Sequence, residues 1–537
     1  MYGARSRIPD GGGGGDMTDL ERKQKEEHVT SARRVDHSSA AYDDRETALV
    51  VMTAFQASSF TNYGLFCLIW LLISAFQYGF HISALNQISD VLACRDPPGA
   101  SKSITYTLLL PSCVSMTDAE FSVVTAAFTI GGLLGSLFAG ALTERRGRRG
   151  ALIIDALLTL FGAMALVLAP GMFTLTLGRV FVGLGAGIGV SVGPVFLGEL
   201  APPAVKGATG VFFQLAVVFG ILTTQGVGMA LASPWVWRFV PFASAVLSLV
   251  QLLAATLVPE SHAWLEGNGR TRDAERVRDK LWVGGGDAMY KSVSRDPEAP
   301  DVDEEDIDDP APTDPNVPVF AAHTPNKTLS LGALLRTPEL RIPVLVVVFA
   351  MAAQQFSGIN AVLYYSNKIL GKTLPSLGPY VSLAVTVVNV AMTFPPIILI
   401  ERMGRKSLLN ISMLGSFISL LAVGYGLDAN QKMLASVAII TFVASFACGM
   451  GPVPFVVISD IAPYHAVGAL SSAALSLNWI ANFTVGLIFL PLRNFLAWGD
   501  PFREGRVFYV FAAALATFGF VLNLVYREQR DHANASR

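Results

Sequence analysis

Apolar stretches of about 20 residues, the length that spans the hydrocarbon core of a bilayer, recur along this chain between short polar breaks. They fall near residues 62–85, 121–142, 150–169, 173–197, 208–231 and 239–258, and then, after a long polar interval, near 343–369, 377–400, 408–427, 434–458, 468–491 and 506–526. Six plus six predicts an all-α membrane protein with twelve transmembrane helices in two halves. One run breaks the pattern. Residues 354–365 read Gln-Gln-Phe-Ser-Gly-Ile-Asn-Ala-Val-Leu-Tyr-Tyr, a polar stripe inside hydrocarbon. Uncompensated polar groups at membrane depth are costly, so such amides face a cavity or another helix. The stripe therefore reads as a substrate-lining surface on a helix that can bend at Gly358. The bland alternative is hydrogen bonding between helices and nothing more.

The polar segments divide the chain into five parts: a tail at 1–60, a first half at 61–258, a linker at 259–341, a second half at 342–527 and a short tail at 528–537. Residues 1–60 are glycine-rich and then charged, with no apolar core near the start. A disordered spacer is expected there, leaving insertion to the first transmembrane helix. Within the linker, 264–283 alternates charged and apolar positions and suits short amphipathic helices. Residues 296–315 hold ten acidic and no basic residues with several prolines, a composition that cannot build a core.

Composition supports the membrane reading. Charged residues make up 15% of the chain and hydrophobic residues 52%, against about 25% charged in soluble domains. No basic stripe with interleaved aromatics points to nucleic acid. There is no nucleophile–base pair, no CxxC and no His/Cys cluster with metal spacing, so neither an enzyme nor a metal or other cofactor is expected. Cys67 and Cys448 lie in apolar runs and read as small buried hydrophobes.

Orientation follows from loop charge. The loops Glu144-Arg-Arg-Gly-Arg-Arg149 and Glu401-Arg-Met-Gly-Arg-Lys406 are short and basic, which places them in the cytoplasm. Both termini and the linker then share that side. Cys94 and Cys113, which bracket the loop after the first span, would face the exterior or a lumen, where a disulfide forms readily; spacing alone leaves the pairing open. Plasma membrane and an internal membrane such as a vacuole both fit.

The halves repeat each other. Gly193-Pro-Val-Phe-Leu-Gly-Glu-Leu-Ala-Pro202 is echoed by Gly451-Pro-Val-Pro-Phe-Val-Val-Ile-Ser-Asp-Ile-Ala-Pro463, Lys206-Gly-Ala208 by Val467-Gly-Ala469, and one basic loop by the other. Parallel six-helix repeats mark transporters that rock two halves about a central site. At this point the chain resembles the sugar porter family of the major facilitator superfamily. Gly140-xxx-Glu144-Arg-Arg-Gly-Arg-Arg149, Gly178-Arg179, Pro194-Val-Phe-Leu-Gly-Glu199, Pro259-Glu-Ser261, Gln354-Gln-Phe-Ser-Gly-Ile-Asn360 and Glu401-Arg-Met-Gly-Arg405 carry the resemblance over residues 62–527.

The resemblance implies alternating-access passage of a sugar, polyol or similar small polar solute, facilitative or proton-coupled, by a chain expected to work as a monomer. It implies substrate-facing amides at Gln214, Gln354, Gln355, Asn360, Asn389, Asn478 and Asn482, and a cytoplasmic gate of charged residues at Arg145, Arg179, Glu199, Arg402, Arg405 and Asp460. Carboxamides suit a sugar because each offers both a donor and an acceptor to hydroxyls.

Four departures stand out. Glucose transporters of the family carry glutamate at the position of Ala447 and tryptophan at that of Phe455, so the acidic partner and an indole N–H are gone, and hexose is not expected to bind at ordinary affinity. His81 stands where proton-coupled relatives have aspartate and facilitative ones often asparagine; proton coupling and a neutral hydrogen-bonded imidazole are both open there. The family's Pro-Glu-Ser-Pro-Arg becomes Pro259-Glu-Ser-His-Ala263, and an expected arginine is Val467. Competing readings are a nutrient sensor, disfavoured by the short carboxyl tail, and a non-transporting trafficking protein.

Overall fold

In the computed structural model of the chain, residues 60–95, 106–107, 110–202, 206–283, 336–371, 378–461, 464–500 and 503–535 are described; most of the amino-terminal tail and the acidic insert fall outside them. The first half contains α1 (Asn62–Ser83), α2 (Asp118–Val167), α3 (Met172–Leu200), α4 (Lys206–Ala230) and α5 (Phe239–Ala254), followed by two short polar helices, α6 (His262–Gly267) and α7 (Thr271–Leu281). The second half contains α8 (Arg341–Phe356), α9 (Ile359–Gly371), α10 (Gly378–Ala391), α11 (Pro395–Met403), α12 (Arg405–Asp428), α13 (Lys432–Cys448), α14 (Val453–Ile461), α15 (Tyr464–Ala497) and α16 (Arg506–Ala535). A two-stranded hairpin, β1 (Tyr106–Thr107) with β2 (Leu110–Pro111), is the one sheet among the described residues.

Twelve spans result from these elements. Among the described residues, ten helices are long and apolar enough to cross a membrane. One of them, α2, is two spans joined at Gly147, where the backbone turns to φ 75° and ψ 178°. The helices α10 and α11, interrupted before Pro395, make the twelfth. The second half turns in the same way at Gly404, at φ 77° and ψ 157° between α11 and α12. These are the two basic loops of the sequence repeat, and only glycine adopts this conformation without strain. At Gly147 a second constraint applies: a Cβ there would sit 2.2 Å from the Glu260 carboxylate. That carboxylate accepts from the amides of Arg148 and Arg149 at 2.8 and 3.0 Å. An anion thus satisfies the free N–H groups at the start of the second arm of α2.

Two further spans are broken at membrane depth. Gly358, at φ 83°, separates α8 from α9, and Gly449 to Pro452 separates α13 from α14. Irregular backbone at this depth is tolerated where it is buried in protein or lines a cavity. The linker helices dock on the first half: Trp282 Nε1 donates to the Leu200 carbonyl at 3.0 Å, and Thr61 N donates to the Leu281 carbonyl at 2.9 Å.

At the opposite end of the first half, Cys94 and Cys113 are joined, closing the loop after α1. Alkylation of the denatured protein without reductant is expected to modify Cys67 and Cys448 alone, and all four cysteines after reduction. Mass spectrometry reads the difference; four labelled cysteines without reductant would remove the bridge.

The halves meet from mid-depth to this disulfide end. Asn86 Nδ2 donates to Ser366 and Ser382 at 2.8 and 3.0 Å, and its Oδ1 accepts from the Asn367 amide at 3.2 Å. Gln87 reaches the Pro379 carbonyl at 3.1 Å. Trp479 Nε1 donates to Ser136 at 2.7 Å, deeper in the bundle.

Candidate functional site

The amides of the polar stripe are buried and tied to one another. Gln354 Nε2 donates to the carbonyls of Met450 and Gly451 at 2.7 and 2.9 Å. These acceptors exist because the helix breaks after Cys448, which frees carbonyls from the i→i+4 ladder. The Gln354 Oε1 atom accepts from Gln355 Nε2 and from Asn478 Nδ2, each at 3.1 Å. Asn360 Nδ2 in turn donates to Gln355 Oε1. Four carboxamides from three helices thus form one chain, Asn478–Gln354–Gln355–Asn360. Beside it, Asn482 Oδ1 accepts from Tyr364 OH at 2.8 Å, and Tyr365 OH donates to the Gly486 carbonyl at 2.7 Å. Asn389 is half-buried on α10 and Phe455 exposed on α14.

Gln214 comes from the other half. It lies on the face of α4 that also carries Val217, Val218, Ile221 and Gln225, all buried, since these positions recur at helical spacing. Phe219, on the opposite face, is 46% exposed. Gln214 is nevertheless exposed. It therefore looks into an opening of the bundle rather than outward to the surroundings. Its position eight residues into α4 sets it about 12 Å from that helix's start, at the basic-loop end.

His81 is held by a chain of hydrogen bonds. Gln77 Nε2 donates to Ser248 at 2.8 Å, and the Ser244 hydroxyl donates to Gln77 Oε1 at 2.6 Å. With its proton committed, Ser244 accepts from His81 Nε2 at 2.7 Å, which fixes the Nε2–H tautomer. Arg179 NH1 donates to the His81 carbonyl at 2.9 Å and its guanidinium lies 4.6 Å from the Phe128 ring centroid.

That placement separates Arg179 from the charged cluster to which the sequence assigned it. Arg179 is fully buried on the side of the bundle nearer the disulfide end, because it lies seven residues into α3, about 10 Å from the helix start. At the basic end Arg148, not Arg145, pairs with Glu199 at 2.8 Å, and Ser261 donates to Glu199 at 2.5 Å. The turn at Gly147 directs Arg148 inward, whereas Arg145 is exposed. This pair ties α2 and α3 to the linker within one half. Arg402 and Arg405 are exposed and make further contacts; the side chain of Asp460 lies outside the described residues. Arg148→Gln is expected to lower stability by about 1–2 kcal/mol and Arg145→Gln by under about 0.5 kcal/mol, measured by thermal unfolding in detergent. Equal losses would contradict the assignment.

Sequence reasoning missed Arg148, Glu260, Tyr364 and the carbonyls of Met450 and Gly451. The Gly-Met-Gly-Pro run was the signal for the last of these.

Two six-helix halves, broken helices and an amide-lined interior define a membrane transporter of the major facilitator architecture. The chain belongs to the sugar transporter family: a family profile described as "Sugar (and other) transporter" matches residues 66–529. It is similar to a probable metabolite transport protein of Saccharomyces cerevisiae, 29% identical over 461 residues, covering 83% of this chain and 88% of that one. It is also similar to facilitated glucose transporter protein 1 of Caenorhabditis elegans, 31% identical over 465 residues, covering 83% and 84%. Among solved structures, an inward-open form of the xylose transporter XylE from E. coli superposes with a TM-score of 0.63 at 21% identity, covering 86% of this chain and 95% of that one.

Proposed function

We propose that this protein carries a neutral, hydroxyl-rich solute, a sugar or a polyol, across a membrane by alternating access. The observation that carries this reading is the continuous chain of carboxamides from Asn478 to Asn360, with no charged side chain in it. Each amide can exchange a bond to its neighbour for one to a hydroxyl, so the site stays satisfied whether empty or filled. An apolar solute would break those bonds and return none, and an ion would find no counter-charge. Ala447, buried at the position where glucose transporters carry glutamate, withholds one charge-assisted bond worth about 1.5–3 kcal/mol. Weak hexose binding follows, with room beside Ala447 for a differently substituted sugar or polyol.

The opening at Gln214 supports a cavity facing the basic-loop end, which by loop charge is the cytoplasmic side. The test is uptake by purified protein in liposomes across a panel of labelled sugars and polyols, with amino acids and organic anions as controls. Uptake confined to hydroxyl-rich neutral solutes supports the proposal; uptake of a charged solute instead, or of none, overturns it.

A further inference from the structure

A carboxyl group lies buried in the first half, away from the amides. Asp155, on the second arm of α2, is 4% exposed. Ser74 on α1 donates to its Oδ2, and Thr159 Oγ1 donates to its Oδ1 at 3.2 Å. Two glycines one turn apart on α3 make room for the group. A Cβ at Gly185 would lie 2.8 Å from Asp155 Oδ1 and 2.4 Å from Thr159 Oγ1; one at Gly189 would lie 2.8 Å from Oδ2 and 2.2 Å from Ser74 Oγ. The carboxyl is thus pressed between three helices in a cradle shaped to it, and among the described residues no cation pairs with it.

The groups around this cradle are sparse in charge. On α1, Tyr78 and His81 line the same gap as Asp155. On α3 the charged residue of that region is Arg179, engaged with the His81 carbonyl. The neighbouring helix α5 offers Ser244, Ser248 and Gln251, none of which titrates. A carboxylate at membrane depth without a counter-ion is costly, and ionisable residues in such places mark ion and proton pathways.

We propose that Asp155 is the site at which this transporter binds and releases a proton during its cycle, a reading that rests on the transport function above. Both protonation states fit the cradle. Protonated, Oδ2–H donates to Ser74 Oγ while Oδ1 accepts from Thr159; ionised, both hydroxyls donate to the carboxylate. The change between them is one proton taken from or returned to water and a turn of the Ser74 hydroxyl. Asp155 is seven residues beyond Arg148, about 10 Å from the basic-loop end, toward which the opening at Gln214 faces. The change is felt on α1, whose next polar positions, Gln77 and His81, share one face with Ser74 and whose far end carries Ser83 and leads to Asn86 at the seam between the halves. His81 lies on the same face; its Nε2–H is held by Ser244, while its Nδ1 has no hydrogen-bond partner among the described residues, so His81→Gln is the control that separates the two sites.

Infrared spectra of purified protein titrated with pH test the site without any substrate. A protonated-carboxyl C=O band is expected in the wild type that Asp155→Asn lacks and that fades as pH rises; its absence at every pH overturns the proposal. Proteoliposomes test the coupling. An inward gradient of about one pH unit supports at most about tenfold accumulation for each proton carried. The wild type should approach that value, Asp155→Asn should fall to simple equilibration with a far smaller loss of solute exchange, and Asp155→Glu should recover part of the accumulation. Gradient-driven accumulation by Asp155→Asn at the wild-type level, its loss in His81→Gln alone, or none in the wild type would each overturn it. Uptake of no solute at all would instead sink the transport reading, and the infrared band alone would then decide on the proton site.

Discussion

Gln354→Ala should lower transport about a hundredfold, the largest loss expected from any single amide. Gln354 is the hub of the chain: it covers the carbonyls of Met450 and Gly451 and accepts from Gln355 and Asn478. Alanine removes both the acceptor and the donor that Gln354 can turn to a hydroxyl of the solute. Two such bonds at up to about 1.5 kcal/mol each amount to about 3 kcal/mol, and about 1.4 kcal/mol corresponds to a tenfold change in binding, so the loss reaches about two orders of magnitude. Asn389→Ala makes a useful contrast, since no amide in the chain depends on it. Initial uptake rates and ligand-induced fluorescence quenching on equal amounts of folded protein provide the measurement. A rate within about threefold of wild type would show that the amide chain does not serve the substrate.

Much of the fold was legible because the bilayer imposes a simple code. Span length, loop charge and the repeat about Gly193 and Gly451 are local features, and each maps directly onto the helices. The bend at Gly358 was legible for the same reason, since glycine followed a polar stripe. The site was legible only in part. Residue type marks Gln354, Gln355, Asn360, Asn478 and Asn482 as unusual at membrane depth, but their joining depends on helices more than a hundred residues apart. Arg145 and Arg148 illustrate the limit. They belong to the same basic loop and look equivalent in sequence, and only the turn at Gly147 decides which faces Glu199. Arg179 was misassigned because sequence order says nothing about depth: the basic loops lie at one end of the bundle, and Arg179 is closer to the other. Asp155 is inconspicuous in the sequence, one acid in an apolar run with no motif around it; the cradle that holds it is made by Gly185 and Gly189 on another helix.

Asp118→Asn is expected to shift the protein toward a state open at the disulfide end. Among the described residues, Asp118 joins the two halves by charge. Its Oδ1 meets Arg95 at 2.9 Å, and its Oδ2 meets Arg493 of the second half at 3.5 Å and accepts from Asn494 at 3.2 Å. Arg493 is 3% exposed, with Glu504 a further 3.8 Å partner. Asparagine keeps the shape but removes the charge opposite a buried guanidinium. Because Asp118 itself is partly open to solvent, the loss is well below that of a fully buried pair, about 1–2 kcal/mol. It falls on the closed state alone, since parting the halves already separates Asp118 from Arg493. A loss confined to one of two states shifts their ratio by that amount, about five- to thirtyfold. A cysteine introduced at Ser366, buried at the seam beside Asn86, reports the shift through its rate of labelling by a membrane-impermeant maleimide. That rate should rise at least about fivefold when Asp118→Asn is added, and high salt should raise it less in the variant than in the parent, because the screened pair is already gone. An unchanged labelling rate would mean that Asn86, Gln87 and Trp479 hold the seam by themselves.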